Sequence, residues 1–206
     1  MTKMIAIIDY GMGNIHSVQK ALELFGAKTT VTNKPEEIQA ADKAVLPGVG
    51  AFDDAMLELK KQDLISALNE YIKNRRPFLG ICLGMQLLFE ESEEASESKG
   101  LGILKGKVKR FTELKGLKVP HMGWNQLKIV SSVCPLLKNI PDNSYMYFCH
   151  SYYPEPKDRN SSAATTDYGR EFSSVVWQDN VYGVQFHPEK SQKTGLKMLE
   201  NFVNLC

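Results

Sequence analysis

The sequence predicts an α/β fold: a mostly parallel sheet flanked by helices, with antiparallel hairpins in its second half. Three observations predict it. From Met4 to Leu88, apolar runs of strand length alternate with stretches of helical periodicity. Beyond Lys107 the pattern changes to short, turn-separated segments. Between the two halves, Phe78-Leu79-Gly80-Ile81-Cys82-Leu83-Gly84-Met85-Gln86-Leu87-Leu88 reads as a strand that turns sharply, with a cysteine at the corner, into an amphipathic helix.

Met1-Thr2-Lys3-Met4-Ile5-Ala6-Ile7-Ile8-Asp9 opens the chain as a buried strand rather than a signal peptide. The loop Tyr10–His16 starts like a dinucleotide fingerprint, but His16 stands where the third glycine is required, which disfavours a nucleotide site. Val18, Ala21, Leu22 and Phe25 then fall on one helical face, ended by Gly26. A strand is expected near Lys28–Thr32, a helix start at Pro35 and a third strand at Lys43–Leu46. In Pro47-Gly48-Val49-Gly50-Ala51-Phe52 the glycines let backbone amides face a cleft. Leu64, Ile65, Leu68, Tyr71 and Ile72 mark a further helix, and Pro77 opens the strand that carries Cys82. This order argues for a parallel sheet covered on both faces.

The acidic, serine-rich run Glu90–Lys99 reads as a solvated helix end and loop. Strands are expected near Lys107–Phe111, Leu127–Val130, Tyr145–Tyr153, Ser162–Thr166, Ser173–Gln178 and Val181–Phe186, with a tight turn at Asp179-Asn180. Leu196, Leu199, Phe202 and Val203 give the closing helix an apolar face. With 206 residues the chain fits a single domain, residues 1–206. Its 25 basic and 24 acidic residues make no field for nucleic acid or anionic lipid. No apolar run is long enough to span a membrane. The four scattered cysteines have no zinc-type spacing and read as free thiols in the cytoplasm.

The candidate chemistry centres on Cys82. A strand-to-helix elbow forces an unfavourable backbone on its central residue and requires small neighbours at both offsets, here Gly80 and Gly84. The thiol would sit at the helix N-terminus, where partial positive charge favours thiolate. Such a nucleophile needs a base and a group to orient the base. Gly183-Val184-Gln185-Phe186-His187-Pro188-Glu189 offers both: in an extended chain Gln185, His187 and Glu189 share one side, so Glu189 can orient His187. His16, His121 and His150 lack a carboxylate at comparable spacing and read as loop or cleft residues. The amides of Leu83 and Val49 would stabilise an oxyanion, and the glycines beside Val49 would let its peptide turn as a switch.

Gly80-Ile81-Cys82-Leu83-Gly84-Met85-Gln86, Pro47-Gly48-Val49-Gly50 and Gln185-Phe186-His187-Pro188-Glu189 together resemble the three signature blocks of the class I, triad-type glutamine amidotransferases, which have a flavodoxin-like fold. Ile7–Asn14 and Val119–Asn125 are similar to the branch of that family that serves histidine biosynthesis, and the likeness runs from end to end of the chain. The resemblance implies a glutaminase that passes ammonia through a tunnel to a separate (β/α)8-barrel cyclase, as a heterodimer. It implies a Cys82–His187–Glu189 triad and no metal or other cofactor. Gly50, Gln86 and the backbone of His150, Ser151 and Tyr152 would hold glutamine. Met122, Trp124, Asn125, Tyr147 and Lys190 would lie at the cyclase interface, and Asn14 beside the Val49 loop. Taken without the resemblance, Met122 and Trp124 read equally as cover for a hairpin core. Relatives in the same branch supply ammonia for surface-sugar amination. A cysteine hydrolase of the same fold and a silent binding subunit are the other readings.

Overall fold

The computed structural model describes residues 3–112 and 116–206, so Met1 and Thr2 of the expected first strand lie outside the described residues. In chain order the elements are β1 (Met4–Ile8), α1 (Ile15–Glu23), β2 (Lys28–Thr32), α2 (Pro35–Ala40), β3 (Lys43–Gly48), α3 (Phe52–Lys61), α4 (Leu64–Lys73), β4 (Phe78–Cys82) and α5 (Leu83–Gln86). They continue with β5 (Glu91–Ser92), β6 (Gly106–Arg110), β7 (His121–Gln126), β8 (Lys128–Ile129), β9 (Tyr145–His150), β10 (Tyr152–Pro156), β11 (Ser162–Asp167), β12 (Glu171–Gln178), β13 (Val181–Val184) and α6 (Gln192–Leu205).

One sheet of eight strands, ordered β2-β1-β3-β4-β13-β12-β11-β8, forms the frame. The strands from β2 to β13 are parallel, and β12, β11 and β8 add antiparallel to that edge. Period-two alternation divides the core between the two faces. Ile5, Ile7, Val45, Leu79 and Ile81 pack with α1 and α6 on one side, whereas Ile8, Ala44, Leu46 and Phe78 pack with α3 and α4 on the other. A ribbon of β7 with β9 and a small sheet ordered β10-β6-β5 complete the molecule. Among the described residues, no helix is long and apolar enough to cross a membrane.

Several local expectations are corrected. The segment Phe52–Lys61 is helical although its periodicity did not announce it; it buries Phe52, Ala55, Met56 and Leu59. The helix after Cys82 is four residues long and wholly buried, not amphipathic, because Leu83–Phe89 fills the space between the sheet and its covering elements. Glu90–Lys99 is solvated as expected but carries no helix end; it is an ordered loop around β5: Glu90 accepts from Gly106 N–H, Glu93 from Arg110 N–H and Glu94 from Phe52 N–H, and Asp53 accepts from Ser96 and Ser98 N–H. Tyr145–Tyr153 breaks at Ser151 into β9 and β10, which belong to different sheets. His16 lies in α1 and His121 is a buried residue of β7, so neither is a loop residue, whereas His150, at the end of β9, is a cleft residue as expected. Pro188–Lys190 is a 3-10 turn, so the extended backbone stops at His187.

Candidate active site

Cys82 ends β4 in the middle of the large sheet, paired through its strand with β3 on one side and β13 on the other. Its backbone has φ 55° and ψ −111°, a conformation that is costly for a residue with a side chain. The neighbours make the corner possible. A Cβ on Gly84 would lie 1.9 Å from the carbonyl oxygen of Leu46, and one on Gly80 2.6 Å from that of Gly84. Strand β3 reaches Gly48 opposite Cys82, which sets Val49 and Gly50 beside the nucleophile and next to Leu83. The packed side chains of Ile81 and Leu83 anchor the corner, and Cys82 stays nearly buried, 6% exposed.

The second strand at the corner delivers the base. Val184 of β13 pairs with Ile81, and three residues later His187 comes up against Cys82. Its Nδ1 lies 3.0 Å from Glu189 Oε1, and the 3-10 turn rather than an extended chain brings that carboxylate back. With Nδ1 taken by Glu189, Nε2 is the nitrogen left to face the sulfur. Burial opposes the imidazolium, but the neighbouring Cys82 and the hydrogen-bonded Glu189 outweigh it, and the pKa of His187 is raised. His187 is thus the cationic neighbour that the sulfur faces.

Ser191 holds the base from behind, and no sequence signal singled it out. Its hydroxyl donates to the His187 carbonyl at 2.6 Å and accepts from Tyr147 N–H at 3.0 Å, while His187 N–H donates to the Tyr147 carbonyl at 2.9 Å. The backbone of His187 is thereby tied to β9.

A cavity of about 330 Å³ opens over the sulfur. Val49, Gly50, Leu83, Gln86, His150, Ser151 and Tyr152 all line it, as do Tyr147 and Lys190. Pro120, Cys149 and Glu94 join the wall without having been legible as site residues. Met122, Trp124 and Asn125 are not in the wall. They lie on β7, where Met122 and Trp124 are exposed, and Trp124 meets Tyr147 edge to face at 5.9 Å. Gly13, one residue before Asn14, packs against Pro47 of β3. A larger cleft of about 780 Å³ lies beside β5, β6 and β10. It is lined by Glu, Lys, Gly, Pro and Arg residues, with no nucleophile or imidazole, so the smaller cavity is the reactive one. Among the described residues, no cluster of His, Cys, Asp or Glu suits a metal ion.

A buried sulfur beside a carboxylate-oriented imidazole, with two backbone amides close to the elbow, can add to a carbonyl carbon and protonate what departs.

Comparison with known proteins adds the following. Residues 6–206 match the family model described as glutamine amidotransferase class-I. The chain is 54% identical over 202 residues to the imidazole glycerol phosphate synthase subunit HisH of Methanocaldococcus jannaschii, covering 98% of this chain and all of the relative. It is 52% identical to the subunit of the same name from Thermosynechococcus vestitus, covering 98% and 96% of the two chains. Among solved structures, a chain of PurLQS from Thermotoga maritima superposes with a TM-score of 0.75 at 17% identity, covering 98% of each chain. The glutaminase domain of Trypanosoma brucei CTPS superposes with a TM-score of 0.68 at 17% identity, covering 97% and 92%. Both structures share the fold.

Proposed function

This chain belongs to the class I glutamine amidotransferases, and on that premise we infer that it is the glutaminase subunit of imidazole glycerol phosphate synthase, hydrolysing glutamine to glutamate and ammonia in histidine biosynthesis. The single observation that carries the chemistry is that Cys82 and His187, far apart along the chain, line one cavity, with the buried Glu189 carboxylate 3.0 Å behind His187 Nδ1.

The reaction follows from the placement of these groups. Cys82 attacks the side-chain amide carbon of glutamine, and the developing oxyanion is received by the amides of Val49 and Leu83. His187, kept protonated by its raised pKa, gives its proton to the departing ammonia, leaving a glutamyl thioester. His187 then takes a proton from water, which hydrolyses the thioester to glutamate. Glu189 keeps the imidazole in the required orientation throughout. Gln86 donates from Nε2 to the Tyr152 carbonyl at 2.9 Å and to Gln185 Oε1 at 3.0 Å. Its Oε1 has no partner among the described residues and is the acceptor it offers the substrate ammonium. Gly50 and the His150-Ser151-Tyr152 backbone complete the glutamine site. The side chains used are all the chain's own.

Ammonia passes to a (β/α)8-barrel cyclase that binds as a heterodimer on the ribbon bearing Met122, Trp124 and Asn125, with Tyr147 and Lys190 at the border between that ribbon and the cavity. Aromatic and methionine side chains exposed together suit a protein partner. Residues 1–206 act as one domain, and the enzyme works in the cytoplasm.

The test is glutamate release by the chain alone, with the cognate cyclase, and with the cyclase plus its nucleotide substrate. Cys82→Ala is expected to abolish glutamine use while leaving an ammonia-driven cyclase reaction intact. Glutamine turnover that survives Cys82→Ala, or no glutamine turnover by the parent complex, overturns the reading.

A further inference from the structure

The ribbon of β7 and β9 has two faces. One carries the exposed Met122 and Trp124; the other carries His121 and His150, cross-strand partners that are 3% and 6% exposed. The mechanism above uses the backbone at His150 and neither imidazole. The two rings are nevertheless members of a continuous hydrogen-bonded chain whose direction is fixed from both ends.

At the outer end, Asn125 Oδ1 accepts from Gln126 N–H at 2.8 Å and Nδ2 donates to the Asp167 carbonyl at 2.8 Å, so two backbone groups set the amide's orientation. The remaining hydrogen on Nδ2 points to His121 Nε2 at 3.2 Å. That nitrogen must accept, which leaves the proton of a neutral ring on Nδ1. His121 Nδ1 lies 2.9 Å from His150 Nε2. At the inner end, His150 Nδ1 is 2.7 Å from the Tyr152 carbonyl, which can only accept. His150 therefore also carries its proton on Nδ1, and its bare Nε2 takes the hydrogen from His121. The assignments from the two ends meet with one proton per contact.

A further proton on His150 would set two donors against each other across 2.9 Å, so the chain exists only while that ring is neutral. The surroundings favour this. His121 is stacked against Phe148 and Tyr168, with centroids 4.8 and 4.0 Å away, and Phe111 and Phe172 pack against both rings. Among the described residues, no carboxylate is hydrogen-bonded to either imidazole. The Tyr152 carbonyl gives its other lone pair to Gln86 Nε2, Gln86 donates on to Gln185 Oε1, and Gln185 Nε2 lies 3.8 Å from Cys82 Sγ.

We propose that His121 and His150 are positioning residues: two neutral Nδ1–H imidazoles that connect Asn125, on the partner-facing ribbon, to the Tyr152 carbonyl that orients Gln86 in the glutamine site. A partner that engages the Asn125 amide alters the donor at one end of this chain, and the group that orients Gln86 stands at the other. That Gln86 holds glutamine rests on the function proposed above; the tautomers do not.

Nitrogen-15 NMR of the imidazoles in the full chain tests the tautomers directly, with the four histidines assigned by single substitutions. Near pH 7, both rings are expected to show a protonated Nδ1 and an unprotonated Nε2. An Nε2–H tautomer or an imidazolium at either ring overturns the proposal. Asn125→Asp puts an acceptor opposite His121 Nε2 and is expected to move that ring's proton to Nε2; an unchanged His121 spectrum also overturns it.

For the effect on the site, His121→Phe keeps the stacking and removes both nitrogens, whereas His121→Asn keeps a donor where Nδ1–H stood. In the complex, His121→Phe is expected to raise the glutamine KM about tenfold with kcat changed by less than about threefold, and His121→Asn to stay within about twofold of the parent. Equal KM values for the Phe variant and the parent, or equal rises in the Phe and Asn variants, refute positioning through hydrogen bonds. Should His121→Phe fail to fold, Asn125→Asp in the free subunit serves instead. It is expected to slow inactivation of Cys82 by a glutamine chloroketone about tenfold, and an unchanged rate counts against the proposal. A parent complex that released no glutamate would defeat the proposed function while leaving the NMR result to stand.

Discussion

Acidification from near neutrality to about pH 5 should destabilise this fold through two of its histidines, before carboxylates contribute. Burial lowers the pKa of His121 to about 4, and burial, with the neighbouring imidazoles of His121 and His187, lowers that of His150 to about 3. Both rings are thus neutral in the folded protein at pH values where the unfolded chain, with ordinary values near 6.5, has protonated them. The unfolded state then binds more protons, so stability rises with pH, and it falls as pH drops below about 6.5. The slope for each group starts at half of about 1.4 kcal/mol per pH unit at pH 6.5 and approaches about 1.4 below it. Over one and a half units, two groups amount to about 3 kcal/mol, a large share of the roughly 5–15 kcal/mol that holds a typical domain together. His187 has the opposite sign. Its raised pKa contributes stability that is fully present well below 6.5 and is lost as pH climbs toward its folded value, so in the acid window it offsets the loss only by about 0.4 kcal/mol. Urea titrations at pH 6.5 and 5.0, followed by tryptophan fluorescence, measure the difference. His121→Asn, which removes one of the two titrating groups, should roughly halve it. A midpoint that does not move between the two pH values, at constant urea dependence, would refute the reasoning.

Other perturbations have similarly defined outcomes. Gly84→Ala forces a Cβ to within 1.9 Å of a backbone oxygen in a central strand, so it should cost upwards of about 3 kcal/mol or prevent folding, as read by denaturation or soluble yield. Glu189→Gln replaces the acceptor on His187 Nδ1 with an amide and removes the charge that supports the imidazolium. Glutamine kcat should fall about a hundredfold or more in steady-state assays, with assembly unaffected. Trp124→Ala deletes an exposed aromatic that stands edge to face with Tyr147, and should weaken cyclase binding by about 2 kcal/mol in titration calorimetry; unchanged affinity would remove Trp124 from the interface.

Local pattern was a good guide where one physical rule dominated. The apolar runs at Ile5, Val45 and Leu79 sit at 0–1% exposure because a parallel strand covered on both faces has no polar side. The elbow was legible because Gly80 and Gly84 answer a steric demand that two sequence offsets express in full. Reading failed where tertiary packing overrode local tendency. Phe52–Lys61 carries acids and lysines that mask its buried stripe of Phe52, Ala55, Met56 and Leu59. The glutamates of Glu90–Lys99 do face solvent, but Glu90, Glu93 and Glu94 also accept from backbone donors on α3 and β6 that no spacing rule connects to them. Ser191, Cys149 and Pro120 belong to the site through where their strands and turns end, and their identities alone carry no such message.

By itself, then, the amino-acid order determined the alternation of strands and helices, the strained corner at Cys82 and the presence of an imidazole with a carboxylate two residues on. Each is a local consequence of side-chain period or backbone sterics. The pairing of β13 beside β4 was decided only by the folded chain, and it is what sets His187 rather than His121 or His150 at the sulfur. So was the two-faced ribbon, with Met122 and Trp124 outward and a directed pair of histidines inward. These are contacts between residues far apart along the chain, and their free energy depends on burial and register that exist only once the sheet has closed.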